Sequence, residues 1–307
     1  MKTDSSKNPP ALSITIASWS GETALVRCLD SVMPQAGDAE VIVAYRGVTD
    51  LAKSLAGRYP TVCFIGGPAD ASVFMLRSVA AQAAAGEVIA LLEDHAAVGA
   101  NWTRSLSEAH ALGRKIFGGP IDNHEPATAF DWALYFVEYG IYMPPLPAGE
   151  TSILSGVNIA YDRATLYSCQ AIWQTVFYET DVNAALGTKG HKFILLPEAA
   201  VSSRLRMTFG EAMAHLFQGG THFGDFRKSH STPLARICWA ICSPLVPFVL
   251  FFRIARRAVS RNSGRIFQLV HGLPYLLLLL AAWSAGEAAS YIRRTPIRPS
   301  PTPSLEK

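Results

Sequence analysis

The chain has 307 residues, 50% of them hydrophobic, enough for one large α/β domain with a sizeable core and an appendage, or for two small domains. This composition excludes an intrinsically disordered protein. The 27 basic and 24 acidic residues give a net charge of +3, and this balance argues against a nucleic-acid-binding protein, in which basic residues dominate one domain.

The cysteines and the N-terminus both bear on the compartment. Five scattered cysteines are an odd number, which predicts reduced core thiols in a cytosol-facing protein. The N-terminus carries charges and prolines where a secretory signal needs a continuous apolar run, so no export signal is expected. The cysteines are Cys28, Cys63, Cys169, Cys238 and Cys242.

Strands and helices alternate over the first 92 residues, after a polar tail at residues 1–11 that we expect to be flexible. Such alternation predicts a parallel sheet with right-handed crossovers. Ligands of such sheets bind beyond the carboxyl ends of the strands, so polar residues that directly follow a strand are the first site candidates. The predicted strands are 12–17, 40–44, 62–65 and 87–92, and the predicted helices are 21–32, 50–58 and 71–85.

The middle of the chain has a looser pattern. Its aromatic stretch at 130–145 either lines a binding groove or packs the core, and core packing is favoured. The later predicted elements are a strand at 156–161, a helix at 177–186, a strand at 192–196 and an amphipathic helix at 209–218.

From residue 234 the composition becomes strongly apolar. Segment 237–252 is uncharged but interrupted by Pro244 and Pro247, and segment 266–286 is longer. Their lengths are borderline and adequate, respectively, for crossing a bilayer. We therefore predict a membrane-associated helical hairpin at 231–295, followed by a flexible tail at 296–307.

The arginines decide how this hairpin is expected to meet the membrane. If it spanned the bilayer from a cytosolic domain, the five arginines of its predicted loop would lie outside, against the positive-inside rule. A pair of helices lying in the cytosolic leaflet keeps every arginine near anionic lipid, which favours attachment to the cytoplasmic face of the inner membrane over a spanning hairpin or a buried soluble one. The loop arginines are Arg253, Arg256, Arg257, Arg261 and Arg265, and those of the tail are Arg293, Arg294 and Arg298.

The strongest local signal is Glu93-Asp94-His95, where a buried strand runs directly into two carboxylates and an imidazole. Three adjacent groups of this kind at the carboxyl end of a strand suit a divalent cation that neutralises a diphosphate. An acidic turn with a helix-capping aspartate is the alternative.

At this point the chain resembles the family 2 glycosyltransferases with the GT-A fold, over about residues 12–205. The resemblance rests on the order of several short motifs along the chain. They are the opening strand Ser13-Ile14-Thr15-Ile16, Glu40-Val41-Ile42-Val43 with Tyr45-Arg46-Gly47-Val48-Thr49-Asp50, Arg77 ahead of Gly86-Glu87, Glu93-Asp94-His95, Trp102, Gly156-Val157-Asn158, Glu179-Thr180-Asp181 and Pro197-Glu198-Ala199.

The resemblance implies an α/β GT-A fold, a mostly parallel sheet flanked by helices, with the catalytic domain at 12–230 and the hydrophobic helical region after it. It implies an inverting transferase that moves a sugar from a nucleotide-diphospho-sugar to a lipid-linked or other saccharide acceptor near membrane lipid. It also implies a divalent cation, Mn²⁺ or Mg²⁺, held by Asp94 and His95, where His95 takes the place of the usual aspartate ligand.

Donor binding is implied for Glu93, Asp94 and Arg77, and a guanidinium suits a diphosphate. A solvated arginine on a helix surface is the alternative for Arg77. Tyr45 and Arg46 depart from the acidic pair that usually reads the nucleobase in this family, and a tyrosine there is able to stack on a base.

The general base is implied to be Glu179 or Asp181, with Glu179 narrowly favoured, although either is able to cap the helix that begins there. Asn158 and Asp131 are predicted on the acceptor side. Arg227 and His222 follow the amphipathic helix where similar transferases contact the diphosphate, and a lipid-facing arginine is the alternative for Arg227.

Two other classes of function compete with this prediction. A catalytically degenerate relative, acting as a binding or regulatory subunit of a polysaccharide assembly system, is suggested by Tyr45-Arg46 and His95 and opposed by the retained Arg77 and Glu179. A dinucleotide-dependent oxidoreductase is discounted, because Ser18-Trp19-Ser20-Gly21 replaces the glycine-rich turn after the first strand.

Overall fold

The computed structural model describes residues 9–47, 50–229 and 232–293, which form two compact units. The first unit comprises the chain up to Glu125 together with Tyr142–Arg206. The second comprises Pro126–Ile141 and the chain from Met207 onward. Compact units and functional domains need not coincide, so the domain limits at residues 11, 230 and 295 stay predictions, and the tail at 296–307 lies outside the described residues.

The first unit is built on an eight-stranded sheet of order β3-β2-β1-β4-β9-β6-β10-β8, beside a three-stranded sheet of order β5-β11-β7. The four strands β3, β2, β1 and β4 are parallel as predicted, whereas β9 runs antiparallel to both β4 and β6. The strands are β1 (Leu12–Ser18), β2 (Glu40–Arg46), β3 (Val62–Gly67), β4 (Val88–Glu93), β5 (Ala96–Val98), β6 (Ile116–Gly118), β7 (Ile121–Asn123), β8 (Gly149–Thr151), β9 (Asn158–Asp162), β10 (Phe193–Leu195) and β11 (Val201–Ser203).

Helices cover the sheet of the first unit and make up the second. In the first unit they are α1 (Glu22–Ala36), α2 (Leu51–Ala56), α3 (Val73–Ala83), α4 (Trp102–Ala111), α6 (Arg163–Tyr167), α7 (Gln170–Trp173) and α8 (Glu179–Thr188). In the second they are α5 (Ala129–Glu138), α9 (Phe209–Ser229), α10 (Pro233–Cys242), α11 (Val246–Arg261) and α12 (Ile266–Ile292), with short 3₁₀ turns at Ser243–Leu245 and Ser263–Arg265.

The central strands β1 and β4 are buried along their whole length, which explains their nearly continuous apolar sequences. Backbone segments next to the sheet approach each other closely at glycines. A Cβ on Gly119 would lie 1.9 Å from the carbonyl oxygen of Ala199, so only glycine fits where the chain leaves β6.

The aromatic stretch packs a core, as favoured from the sequence. Trp132, Tyr135 and Phe136 of α5 are buried, and the Trp132 and Tyr135 rings meet edge to face at 5.4 Å. The cysteine prediction is partly wrong. All five thiols are free, but Cys63 on the sheet-edge strand β3 and both cysteines of α10 are exposed, and only Cys28 and Cys169 are buried.

In the second unit, helices α9 and α12 pack closely through small residues. A Cβ on Gly220 would lie 1.9 Å from the carbonyl oxygen of Trp283, and one on Gly286 would lie 2.0 Å from that of Phe217. This contact explains why α9 continues eleven residues beyond the predicted end at Gln218, since glycines in a helix interior are tolerated where close packing compensates for them.

Two helical stretches, Leu234–Arg261 and Ser263–Ile292, are long and apolar enough to cross a membrane by length and composition. Only 12% and 33% of their most apolar windows are buried inside the protein. A hairpin in the core of a soluble protein would bury most of that surface, whereas most of it is exposed here. Large exposed side chains on these stretches include Leu234, Ile241, Phe248, Phe252, Phe267 and Val270.

The predicted arginine loop is largely helical. Arg253, Arg256, Arg257 and Arg261 belong to α11, because arginine is a good helix former and nothing interrupts the helix before Asn262. Arg261 donates a hydrogen bond to the carbonyl oxygen of Ile141 at 2.8 Å. The tail arginines Arg294 and Arg298 lie outside the described residues.

Candidate functional site

The candidate site lies at the carboxyl edge of the parallel strands in the first unit. In the sheet register Ala17 of β1 lies beside Glu93 of β4, and Ser18 lies beside Tyr45 of β2. The residues that follow these strands are therefore brought together at one edge, as in other open α/β sheets.

Asp94 is fully buried and ties the turn after β1 to the end of β4. Its Oδ2 atom accepts hydrogen bonds from Ser18 Oγ at 3.0 Å, from the backbone N–H of Trp19 at 2.8 Å and from that of Ser20 at 2.7 Å. Its Oδ1 atom is buried and has no hydrogen-bond partner among the described residues. Burial raises the pKa of Asp94, although the hydrogen bonds from Ser20 oppose the shift.

Arg77 joins two carboxylates from distant parts of the chain. Its guanidinium donates to Glu93 Oε1 and, at 2.6 Å, to Glu179 Oε2. The indole Nε1 of Trp19 donates to the other Glu93 oxygen at 2.9 Å. Arg77 is only 4% exposed, so the alternative of a solvated helix arginine is wrong.

The electrostatics of this cluster follow from burial and charge. Burial opposes ionisation of Glu93 most strongly, but the charge of the Arg77 guanidinium and the hydrogen bonds from Trp19 and Arg77 together hold its pKa below the usual value. Burial likewise opposes the charge of Arg77, and the two carboxylates outweigh it and raise the pKa. The cluster is therefore a charged Glu93–Arg77–Glu179 chain inside the protein.

The guanidinium of Arg77 packs closely against Gly156 and lies near the Phe74 ring. A Cβ on Gly156 would lie 2.6 Å from Nη1 of Arg77, and the Phe74 ring lies 5.4 Å from its central carbon. Gly156 precedes β9, which explains why a glycine is needed at that place in the Gly156-Val157-Asn158 motif.

His95 is fully buried beside this cluster. Its ring meets the Trp19 ring edge to face at 6.1 Å, and its Nδ1 lies 3.4 Å from Glu93 Oε2. Burial lowers its pKa most strongly, which favours a neutral imidazole at neutral pH. Its backbone carbonyl oxygen accepts from the guanidinium of Arg27 and from the backbone N–H of Arg204.

The residues of the predicted metal motif do not fit a divalent cation as they are arranged. Glu93 is held by Arg77 and Trp19, and one oxygen of Asp94 already accepts three hydrogen bonds. Within the described ranges no three His, Cys, Asp or Glu side chains come together as metal ligands, whereas such cations take several oxygen ligands. The assignment of a metal to Asp94 and His95 stays a prediction.

The candidate bases lie in the first turn of α8. The N-cap residue Tyr178 makes no side-chain capping bond, and Glu179 is bound by Arg77, so Glu179 does not act as the helix cap. The surface of Asp181 is exposed to solvent. Its pKa is nevertheless raised, mainly because neighbouring atoms remove part of its hydration and secondly because of the charge of Glu179. The sequence predicted both carboxylates and Arg77, but not the contact between Arg77 and Glu179.

The remaining predicted residues of the first unit have mainly internal partners. Tyr45 is buried with its ring close to Gly66, and exposed Arg46 donates from Nε to the carbonyl oxygen of Ala71 at 3.0 Å. Asn158 is fully buried. Its Oδ1 accepts a hydrogen bond from Trp102 Nε1 at 2.8 Å, and its Nδ2 donates to the carbonyl oxygens of Pro120 and Ala199 at 3.1 and 2.8 Å. Val48 and Thr49 of the same motif as Tyr45 lie outside the described residues. The donor and acceptor roles of Tyr45, Arg46 and Asn158 stay predictions.

Three predicted site residues belong to the second unit. Asp131 forms a reciprocal capping box with Thr128 at the start of α5. Arg227 pairs with the buried Glu287 at 2.6 Å, and its guanidinium carbon lies 3.9 Å from the centre of the Trp239 ring, so it has partners within this unit. His222 is exposed on α9. Their roles toward an acceptor or a diphosphate stay predictions.

Trp19, Arg27 and Arg204 are site residues that the sequence analysis missed. Trp19 directly follows β1, so the rule that ligands bind beyond strand ends was sufficient to single it out. Arg27 and Arg204 are separated from Asp94 along the chain, and no local pattern connects them to it.

Comparisons with known proteins agree with this architecture. No family model matches the sequence, and no curated protein matches it either. The structure is similar to that of the mannosyltransferase PcManGT from Pyrobaculum calidifontis in complex with GDP-Man and Mn²⁺, with 13% identity, 93% of this chain and 88% of that chain covered and a TM-score of 0.54. It is also similar to GalNAc-T7 with UDP, GalNAc and Mn²⁺, with 17% identity, 66% of this chain and 45% of that chain covered and a TM-score of 0.50. These similarities confirm the predicted GT-A fold.

Proposed function

We propose that the protein is an inverting glycosyltransferase that moves a sugar from a nucleotide-diphospho-sugar to a lipid-linked or membrane-proximal acceptor. The observation that carries the proposal is the chain of ion pairs from the buried Glu93 through the buried Arg77 to the partly exposed Glu179, at the carboxyl edge of a GT-A sheet. The similar structures contain GDP-Man in one case and UDP in the other, which supports a nucleotide-sugar donor here. Membership of family 2 is part of the same proposal.

The geometry of Glu179 suits a general base. Arg77 binds Oε2, which fixes the carboxylate and leaves Oε1 to accept a proton, and the side chain is 22% exposed and so within reach of an acceptor. In the transfer the acceptor oxygen bonds to the anomeric carbon as the bond from that carbon to the diphosphate oxygen breaks. The hydroxyl proton passes to Glu179, and the bonding pair leaves with the nucleoside diphosphate.

We expect membranes that contain the full-length protein to release nucleoside diphosphate from at least one nucleotide sugar of a panel, in the presence of membrane lipid as acceptor source. The measurement compares these membranes with membranes that lack the protein, with Mn²⁺, with Mg²⁺ and with a chelator. Specific binding of a donor without release in any condition would favour the catalytically degenerate binding or regulatory subunit. If the protein neither binds any nucleotide sugar of the panel nor releases nucleoside diphosphate from it, both the transferase and the degenerate binding subunit are excluded.

We also propose that α10, α11 and α12 attach the protein to the cytoplasmic face of the inner membrane, supported by the exposed apolar side chains of these helices. The protein is expected to remain with membranes during high-salt and carbonate washes. Replacing Phe248 and Phe252 with aspartate should move a measurable share into the soluble fraction, because about 3 kcal/mol of burial is lost for each phenylalanine. Leu112→Asp, at an exposed leucine of the first unit, is the matched control and should change nothing. Complete release of the unaltered protein by carbonate would contradict membrane attachment.

A further inference from the structure

Helix α3 holds the chain segment that leads into the candidate base. Phe177 donates its backbone N–H to the carbonyl oxygen of Phe74 at 2.9 Å, and Ser78 Oγ donates to the carbonyl oxygen of Gln174 at 2.6 Å. Phe74 and Ser78 are four residues apart, so they lie one above the other on the same face of the helix. The segment before α8 therefore lies against this face of α3.

The half-buried ring of Phe74 contacts both Tyr178 and Arg77. Its centroid is 4.4 Å from that of the Tyr178 ring and 5.4 Å from the central guanidinium carbon of Arg77. Tyr178 directly precedes Glu179 in the chain, and Arg77 binds Oε2 of Glu179 at 2.6 Å. One aromatic ring thus packs against the two residues that set the position of Glu179.

The first turn of α8 depends on Tyr178. The carbonyl oxygen of Tyr178 accepts hydrogen bonds from the backbone N–H groups of Asp181 and Val182, each at 3.1 Å. Tyr178 is the N-cap residue, and a tyrosine side chain does not cap a helix as that of serine, threonine, aspartate or asparagine does. Helix ends fray, so this turn relies on packing, and Phe74 supplies that packing.

We propose that Phe74 is a positioning residue for sugar transfer and acts through Glu179. Its ring holds Tyr178 and Arg77 in the places that direct Oε1 of Glu179 at the acceptor hydroxyl. This inference rests on the proposed glycosyltransferase function, with Glu179 as the general base. A base accepts a proton efficiently only within hydrogen-bond reach of the hydroxyl, and a displacement of about 1 Å lowers turnover by about a hundredfold.

The first test is the replacement of Phe74 with leucine, which removes the ring and keeps an apolar side chain. We expect kcat for release of nucleoside diphosphate to fall by about tenfold to a hundredfold, with KM for the nucleotide sugar unchanged, because the change acts on the base. Phe74→Tyr keeps the ring and should restore most of the turnover. The full-length protein in detergent is assayed with each nucleotide sugar that it turns over, beginning with GDP-mannose.

A second test asks whether Phe74 acts through Glu179. Residues that act as a unit have non-additive effects on turnover. In protein that already carries Glu179→Gln, Phe74→Leu should therefore add little to the loss of transfer. General damage to the protein would instead lower the residual transfer by the full factor seen with Glu179 present.

Hydrogen exchange provides a measurement that needs no turnover. The backbone amides of Asp181 and Val182 should exchange faster in Phe74→Leu, because their bonds to Tyr178 close the turn that the ring supports. Phe193→Leu is the matched control, since Phe193 of β10 is also half-buried and packs near the other end of α8. A Cβ on Gly187 would lie 3.8 Å from its ring.

The control variant Phe193→Leu should leave turnover and exchange in the first turn of α8 unchanged. Unchanged exchange in this turn in folded Phe74→Leu protein would overturn the inference. A loss of turnover as large beside Glu179→Gln as without it would also overturn it, and either result leaves the transferase standing. Faster exchange in a protein that releases nucleoside diphosphate from no nucleotide sugar would support the packing role of Phe74 and count against the proposed function.

Discussion

Replacing Arg77 with methionine is expected to abolish sugar transfer and to lower the free energy of unfolding by about 3–5 kcal/mol. The side chain is 4% exposed and pairs with Glu93 and Glu179, so its removal leaves buried negative charge without a partner. Arg77→Lys should recover only part of this loss, because one ammonium group does not bind both carboxylates in the geometry of a guanidinium. Release of nucleoside diphosphate and thermal unfolding of the full-length protein in detergent are the measurements.

The chain offers a matched control for this prediction. Arg58 forms an ion pair with Asp30 on the surface, where both side chains are about half exposed, so Arg58→Met should cost less than about 1 kcal/mol and leave transfer intact. Gly156→Ala tests the site with all three charged side chains, Glu93, Arg77 and Glu179, kept. Its Cβ would meet the Arg77 guanidinium, so transfer should fall while most of the protein stays folded. Near-normal transfer by folded Arg77→Met protein would remove the Glu93–Arg77–Glu179 chain from the mechanism.

Several long elements of this fold are readable from its sequence because each has a clear period. Strands β1, β2 and β4 and helix α3 lie where apolar runs and helical spacing predict them. Strands β5, β6, β7, β8 and β11 have only three residues each, too few for a period to show, and they were missed. The segment after residue 252, which was predicted as a loop, is helical because its arginines continue the helix. The prediction was wrong because it ended the helix where the run of apolar residues ends.

The candidate site, too, is only partly predictable from the sequence. Glu93, Asp94 and Glu179 are found from motif order, because each follows a strand or opens a helix. The contact between Arg77 and Glu179 is not found from the sequence, because the two residues are 102 positions apart and meet only through the fold. The same holds for Arg27 and Arg204, which reach His95 from two different elements. Charge balance at a site is a property of the folded chain, which the order of motifs along the sequence does not reveal.

Glu179→Gln is expected to reduce transfer by about a hundredfold to ten-thousandfold, the usual contribution of a general base, while nucleotide binding is retained. Glutamine has nearly the same size, and its amide oxygen is able to keep the hydrogen bond from Arg77, so the change removes proton acceptance without removing the contact. Asp181→Asn is the matched control, since that carboxylate lies two residues away in the same turn and is exposed.

The pH dependence of transfer distinguishes the two carboxylates further. A general base acts in its ionised form, so transfer falls as the pH drops through the pKa of the base. The pKa of Asp181 is raised by partial burial and by the charge of Glu179. If Asp181 were the base, the acid limb would lie above the usual range for aspartate, and Glu179→Gln would shift it downward by removing the neighbouring charge. Loss of transfer in Asp181→Asn together with that shift would reverse the assignment. Loss of transfer in Glu179→Gln, with transfer retained in Asp181→Asn, is the result we expect.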